Sequence, residues 1–250
     1  ENIIIQAGGL GSRLEALTAN KPKCLVSINN LPIIFYIFRC FPKSKFHIIV
    51  DYKSDVIEKY LNIFAKDIDY NLIKAKDKGT SSGIAESAKM INSNLPVMLV
   101  WSDLILDSSF EFPITNDNYI AISNSFECRW SFVDGKLIKK NSKENGVAGL
   151  FIFKNNNFIV DAPEGGEFVA WLSDQNINFQ RMNLFNAREI GTMNSYFDNI
   201  NKNSKCRPFN RLSFYDNYIE KNAITSYGEE VAKKEKGWYK FISGLNYQNI

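Results

Sequence analysis

The start of the chain constrains it most. Residues Ile3-Ile4-Ile5 form an apolar run, and Gln6-Ala7-Gly8-Gly9-Leu10-Gly11-Ser12-Arg13-Leu14 follows directly. Pro22-Lys23 comes a short way on, Lys23 nine residues after Leu14. A short apolar run bounded by glycines reads as a buried strand. Three glycines let backbone amides approach a ligand that a Cβ would hold off. The N–H groups of such a turn suit phosphate oxygens, and Arg13 and Lys23 add full positive charge. Strand, glycine turn, arginine and lysine in that order describe a cradle for a nucleoside triphosphate. Two other phosphate cradles fail on spacing. A dinucleotide fingerprint needs a helix-packing glycine where Arg13 and Leu14 stand. A P-loop needs Gly-Lys-Ser/Thr after the glycines.

The chain has 250 residues, 45% hydrophobic and 23% charged. That is enough for one large α/β domain with a well-buried core. No apolar stretch reaches the ~18 residues of a membrane span, and the first residues show no basic region or cleavage motif. A cytoplasmic enzyme without membrane contact is expected. Cys24, Cys40, Cys128 and Cys206 are too scattered for a zinc site or a disulfide framework. The single histidine, His47, lies in a strand-like run, which argues against His-based acid–base chemistry. From Lys202 onward there are nine Lys and Arg against five Asp and Glu. Residues 1–201 then come out at −1, so no nucleic-acid-binding face is expected.

Further along, strands and helices alternate. Phe46–Val50, Tyr70–Ala75, Val97–Trp101 and Tyr119–Ser123 read as strands. Ser54 is expected to cap a helix through Phe64, because Val56, Ile57, Tyr60, Leu61 and Phe64 recur at helical spacing. Ser82–Ile91 reads as a second helix. The alternation predicts a mostly parallel, mixed sheet in a Rossmann-like three-layer α/β/α fold. In such sheets ligands bind beyond the carboxyl ends of the strands. Two segments fall at such ends: Gly79-Thr80-Ser81-Ser82-Gly83, and Trp101-Ser102-Asp103-Leu104. An aspartate following a buried strand suits Mg²⁺, which takes one or two carboxylates together with phosphates.

Ala7–Leu14, with Leu17-Thr18 and Lys21-Pro22-Lys23-Cys24-Leu25-Val26, resembles the signature of the sugar-phosphate nucleotidyltransferases. Asn30-Leu31-Pro32-Ile33-Ile34 resembles the segment that opens that family's first helix. The resemblance covers about residues 2–200 and implies the nucleotide-diphospho-sugar transferase type of fold. It implies transfer of a nucleotidyl group from a nucleoside triphosphate to a phosphorylated acceptor, with release of pyrophosphate. Such products serve as precursors of capsule or cell-surface polysaccharide. The resemblance makes Arg13 and Lys23 the catalytic cations. Ala7, Gly8, Gly9, Gly11, Ser12, Thr80 and Gly83 become nucleotide contacts. Asp103 becomes a ligand of Mg²⁺.

Arg188-Glu189-Ile190-Gly191-Thr192 matches the family's Asp-Ile-Gly-Thr, with Glu189 standing for the second metal ligand. Gly146–Phe153 resembles the strand that passes the acceptor, with Gly149 among its contacts. The family's Glu-Lys-Pro before that strand is absent. Lys139 or Lys140 is then the candidate for the acceptor's phosphate, and Glu167 for an acceptor hydroxyl. The acceptor is a sugar 1-phosphate or a small choline- or amino-acid-type phosphate. The nucleotide leans to CTP, UTP or dTTP. A regulatory nucleotide-binding subunit of the same fold is the alternative.

Residues 1–200 are thus expected to form the nucleotidyltransferase domain, and 201–250 a linker and C-terminal extension. Asn199–Lys205 reads as linker. Phe209–Phe214 and Tyr218–Lys221 read as a hairpin and Glu229–Phe241 as a helix. That stretch loosely resembles the opening of an aminoglycoside-phosphotransferase-like kinase lobe, which would make the chain part of a longer two-enzyme polypeptide. An extension that mediates homodimer contacts fits the same residues.

Overall fold

Ile3, Ile4 and Ile5 are fully buried in β1 (Asn2–Gln6), the strand around which the sheet is built. The computed structural model describes residues 1–107, 109–113 and 116–203. After β1 come two short strands, β2 (Ser27–Ile28) and β3 (Leu31–Pro32), and helix α1 (Ile33–Cys40). Then follow β4 (Lys45–Val50), α2 (Ser54–Phe64), β5 (Tyr70–Lys74), α3 (Ile84–Lys89) and β6 (Val97–Trp101). The second half holds β7 (Leu104–Ile105), β8 (Asn118–Ser123), β9 (Ser131–Val133), β10 (Lys136–Ile138) and β11 (Gly146–Phe153). It closes with α4 (Phe168–Ser173), β12 (Phe179–Leu184), β13 (Arg188–Glu189) and α5 (Met193–Asn203).

The main sheet runs β10-β9-β11-β6-β1-β4-β5, with β8 paired to β11 and β12 paired to β8. It is mixed. The β6-β1-β4-β5 block and the β8–β12 pair are parallel. β11 runs antiparallel to β6, β8 and β9. The chain steps from β1 to β4 on one side, and β6 lies on the other. That reversal opens a crevice at the carboxyl ends of these strands.

Alternation along each strand sorts the core into two layers. Ile3 and Ile5 of β1, Phe46 and Ile48 of β4 and Met98 and Val100 of β6 face Ile34, Ile37 and Phe38 of α1 and Ile57 and Leu61 of α2. Ile4, Ile49, Val97 and Leu99 face the other way, onto Ile84 and Ala88 of α3 and Phe168, Val169 and Leu172 of α4. The result is a three-layer α/β/α arrangement.

Three expectations are corrected. Ser54 is the first residue of α2 and makes no side-chain cap; Lys53 before it turns the chain with φ of 50°. The second helix begins at Ile84 and not at Ser82, because Ser82 turns its hydroxyl to the Lys76 and Asp77 amides at 3.0 and 3.1 Å. Residues 199–203 belong to α5, and Asn199 is buried with its Nδ2 donating to the Ser195 carbonyl at 2.7 Å. The hairpin, the helix and the kinase-like resemblance read within residues 206–250 lie outside the described residues.

Candidate active site

A cleft of about 370 Å³ lies at the carboxyl ends of the parallel strands, within the size range of small-molecule sites. Gln6 ends β1, Asp51 follows β4, Ala75 follows β5 and Trp101 ends β6, and all four line it. Gly8, Gly9 and Arg13 come from the loop after β1, and Lys23 from the turn after that. Asp103, Thr80, Glu167 and Glu189 complete the expected lining residues. The sequence separations, from Gly8 to Glu189, are closed by the crossovers of the sheet.

Arg13, Lys23, Asp103 and Glu189 form two ion pairs. Lys23 Nζ bonds Asp103 Oδ2, with both side chains 13% exposed. Arg13 Nη2 lies 3.9 Å from Glu189 Oε1. The two carboxylates come together because β13 pairs with β7, placing Glu189 opposite Leu104, and the Ile190 amide donates to the Asp103 carbonyl at 2.9 Å. A third hydrophobic cluster holds this junction from below: Leu14, Val26, Ile28, Ile33, Ile105 and Ile190. Leu14 follows Arg13 and Ile190 follows Glu189, while Val26 and Ile105 stand two or three residues beyond Lys23 and Asp103. Each of these four side chains thus projects from a backbone anchored by a buried neighbour.

Burial pushes the Glu189 carboxyl above its ordinary value, and the Asp103 charge adds to this, against opposing pulls from Lys23 and Arg13. Two crowded carboxylates are a hard-oxygen donor pair. Among the described residues, no group of three or more His, Cys, Asp or Glu gathers into a metal-ligand cluster.

The expected nucleotide contacts divide. Gly8, Gly9 and Thr80 line the cleft; Ala7, Gly11, Ser12 and Gly83 do not. Ala7 is buried. Gly11 heads the 3-10 turn Ser12–Thr18. Gly83 heads α3, where a Cβ would lie 2.7 Å from Ile49.

The expected acceptor residues divide as well. Glu167 lines the cleft and gathers its neighbours. Its Oε1 accepts from Trp130 Nε1 at 2.7 Å and lies 3.7 Å from Arg129 Nη2. Its Oε2 accepts from Lys139 Nζ at 3.1 Å, and that ammonium sits over the Trp130 ring at 5.6 Å. Burial opposes ionisation of Glu167, but the bonds from Trp130 and Lys139 win and lower its pKa. Lys139 and Lys140 do not line the cleft, and neither does Gly149. Gly149 lies behind the wall with φ of 79°, and a Cβ there would collide with the Trp101 indole. It marks a bulge in the β11–β8 ladder.

One wall was not legible in the sequence. Phe126, Glu127, Cys128, Arg129 and Trp130 all line the cleft. Nothing in their spacing signals a site; Arg129 and Trp130 beside a lone Cys128 were the available hint. Cys128 is a neutral thiol, pushed up to about 12 by burial and then by Glu189, Asp103 and Glu127. Glu127 is held by Asn141 Nδ2 at 2.6 Å.

Residues 2–121 match the family model described as nucleotidyl transferase. That match takes in just under half of the chain. Mannose-1-phosphate guanyltransferase beta-B of Xenopus laevis is 32% identical over 115 residues, 43% of this chain and 32% of that protein. CTP:phosphoglutamine cytidylyltransferase of Campylobacter jejuni is 37% identical over 78 residues, 30% of each chain. The chain therefore matches about a third of the length of these curated relatives. Crystalline HddC from Yersinia pseudotuberculosis shares the fold at TM-score 0.65 and 20% identity, covering 80% of this chain and 98% of that one. The family match contains Arg13, Lys23 and Asp103; Glu167 and Glu189 lie beyond it. Among the described residues no helix is long and apolar enough to cross a membrane.

Proposed function

We propose that this nucleotidyl transferase joins a nucleoside monophosphate, taken from the triphosphate, to a phosphorylated acceptor and releases pyrophosphate. The observation that carries the reading is the facing of Arg13 and Lys23 against Asp103 and Glu189 in one cleft. An acceptor phosphate oxygen attacks the α-phosphorus in line, the bond to the bridging oxygen breaks, and pyrophosphate leaves with that electron pair. A phosphate nucleophile is already ionised near neutral pH, so no general base is required. Gly8 and Gly9 offer close backbone approach to the triphosphate. Arg13 and Lys23 offset charge that builds on the equatorial oxygens. Asp103 and Glu189 would hold Mg²⁺, whose chemistry when bound is to neutralise phosphate charge and orient the reacting oxygens. The carboxylate pair fits such an ion, since burial and mutual repulsion already disfavour two bare charges there.

Glu167, with Arg129, Trp130 and Lys139, is the proposed acceptor corner. Lys139 backs Glu167 from outside the lining, so the corner offers a carboxylate, one cation and an aromatic face to the cleft. These suit a sugar 1-phosphate or a small amino-bearing phosphate. One relative is named for guanylyl transfer and another for CTP and phosphoglutamine, so both ligand types belong in the test. Purified chain with Mg²⁺ is offered CTP, UTP, dTTP, GTP and ATP against mannose 1-phosphate, glucose 1-phosphate, phosphocholine and phosphoglutamine. Pyrophosphate release with one pair supports the reading. No release with any pair counts against it and favours a non-catalytic nucleotide-binding subunit.

A further inference from the structure

The turn after β5 is laced to the start of α4. Gly79 and Gly166 form a parallel bridge. The Gly166 amide donates to the Lys78 carbonyl at 2.9 Å, and the Ser81 amide donates to the Gly166 carbonyl at 3.1 Å. This approach requires glycine at Gly79, with φ of 115°, because a Cβ would collide with the Gly166 carbonyl. Thr80 sits within the lacing and bonds in two directions. Its hydroxyl accepts from the Phe168 amide, the first of α4, at 2.9 Å. Its carbonyl accepts from Gln6 Nε2, at the end of β1, at 2.7 Å. Gln6 Oε1 in turn accepts from the Gly8 amide at 3.5 Å.

The first amides of a helix have no partner within the helix and must find one outside. Here the partner is a side chain from the nucleotide side of the cleft. The residue before Phe168 is Glu167, the hub of the Arg129, Trp130 and Lys139 corner. We infer that Thr80 is a positioning residue: it fixes Glu167 relative to the glycine loop, so that a nucleotide bound at Gly8 and Gly9 is registered at the Glu167 corner. The inference rests on the nucleotidyl-transfer reading and adds to it a physical link between the two substrate halves.

The test uses the full chain labelled with ¹⁵N, with the Trp130 indole N–H as reporter, assigned through Trp130→Phe. CTP, UTP, dTTP, GTP and ATP with Mg²⁺ are the probes, and the Gly8 and Gly9 amides report binding. In the wild type and in Thr80→Ser, the nucleotide that moves Gly8 and Gly9 also moves the Trp130 indole. In Thr80→Val, with nucleotide raised until the Gly8 and Gly9 shifts stop changing so that any loss of affinity is removed, the indole response falls at least about fivefold. Thr80→Ala, which cannot overpack, gives the same loss. An indole response of wild-type size in both Thr80→Val and Thr80→Ala overturns the inference. So does an indole that stays still in the wild type while the glycines move. If no triphosphate moves Gly8 or Gly9, the nucleotide reading itself falls and takes the inference with it.

Discussion

At the scale of single residues, the two proposed catalytic cations each face a carboxylate. Lys23 is paired with Asp103 and Arg13 with Glu189. A triphosphate arriving without a cation must draw the two basic residues away and leave two neighbouring carboxylates uncompensated. Like charges at close range in a partly buried site cost several kcal/mol. Asp103→Asn is therefore expected to bind the triphosphate in EDTA about fivefold or more tightly than the wild type, while pyrophosphate release with Mg²⁺ collapses. Calorimetric titration in EDTA beside a pyrophosphate assay measures both; weaker EDTA binding by the variant would count against this charge arrangement.

His47 poses a different question. It is fully buried in β4, and neither ring nitrogen has a hydrogen-bond partner among the described residues. Burial lowers its pKa, helped by Lys45 and opposed by Asp69. A base depressed in the folded state gives stability that is complete above its unfolded value, near 6.5, and is lost as pH falls through the folded value. Thermal midpoints of the wild type should fall between pH 7.5 and 5.0 by more than those of His47→Leu. Equal slopes would remove His47 as the cause. The cations and Asp103 were legible because short ordered motifs carry them. Glu189 was legible only through resemblance, since a lone acid before Ile190 has no signature of its own.

At the scale of elements, the site is made by pairs of neighbours, one polar and one anchored. Ile190 touches no expected ligand, yet it is fully buried in the cluster beneath the β7–β13 ladder. Ile190→Ala is expected to cost about 2–5 kcal/mol of stability and to lower activity well beyond the loss of folded protein. Denaturant unfolding combined with turnover per folded molecule separates the two; unchanged turnover would show that the ladder does not need its anchor. The strands β1, β4, β5, β6 and β8 and helix α2 were legible because their apolar residues form clear runs or regular spacing; the short strands β2, β3, β7, β9, β10 and β13 and the polar β12 were not. Nor were helix ends. Ser54 and Ser82 both carry a capping residue's chemistry, but a left-handed Lys53 and Gly83 set where the helices begin. The wall from Phe126 to Trp130 was hidden for another reason: it is irregular chain whose role depends on β9 and β11 bringing it over the cleft.

At the scale of the whole molecule, the three hydrophobic clusters of the described residues lie within residues 3–200. Tyr196 and Ile200 of α5 pack against the third. Residues 1–203 produced alone are expected to unfold in one cooperative transition. A shorter piece ending at 192 would lose α5 and destabilise the carboxylate ladder. Calorimetry of both pieces tests this, and a broad transition for residues 1–203 would contradict it. The layered fold could be read from β/α alternation. The antiparallel insertion of β11 beside β6 could not, because two-faced burial gives β11 the same apolar run as its parallel neighbours. The bulge on that strand has an effect that lining residues alone do not reveal. Trp101 forms part of the cleft wall, and its indole is seated where Gly149 has no side chain. The bore of the cleft is thus gauged from the rear. One methyl added to β11 would push a ring inward and narrow the opening without changing any group a bound molecule touches. Two chains with identical contact residues could in this way admit acceptors of different girth.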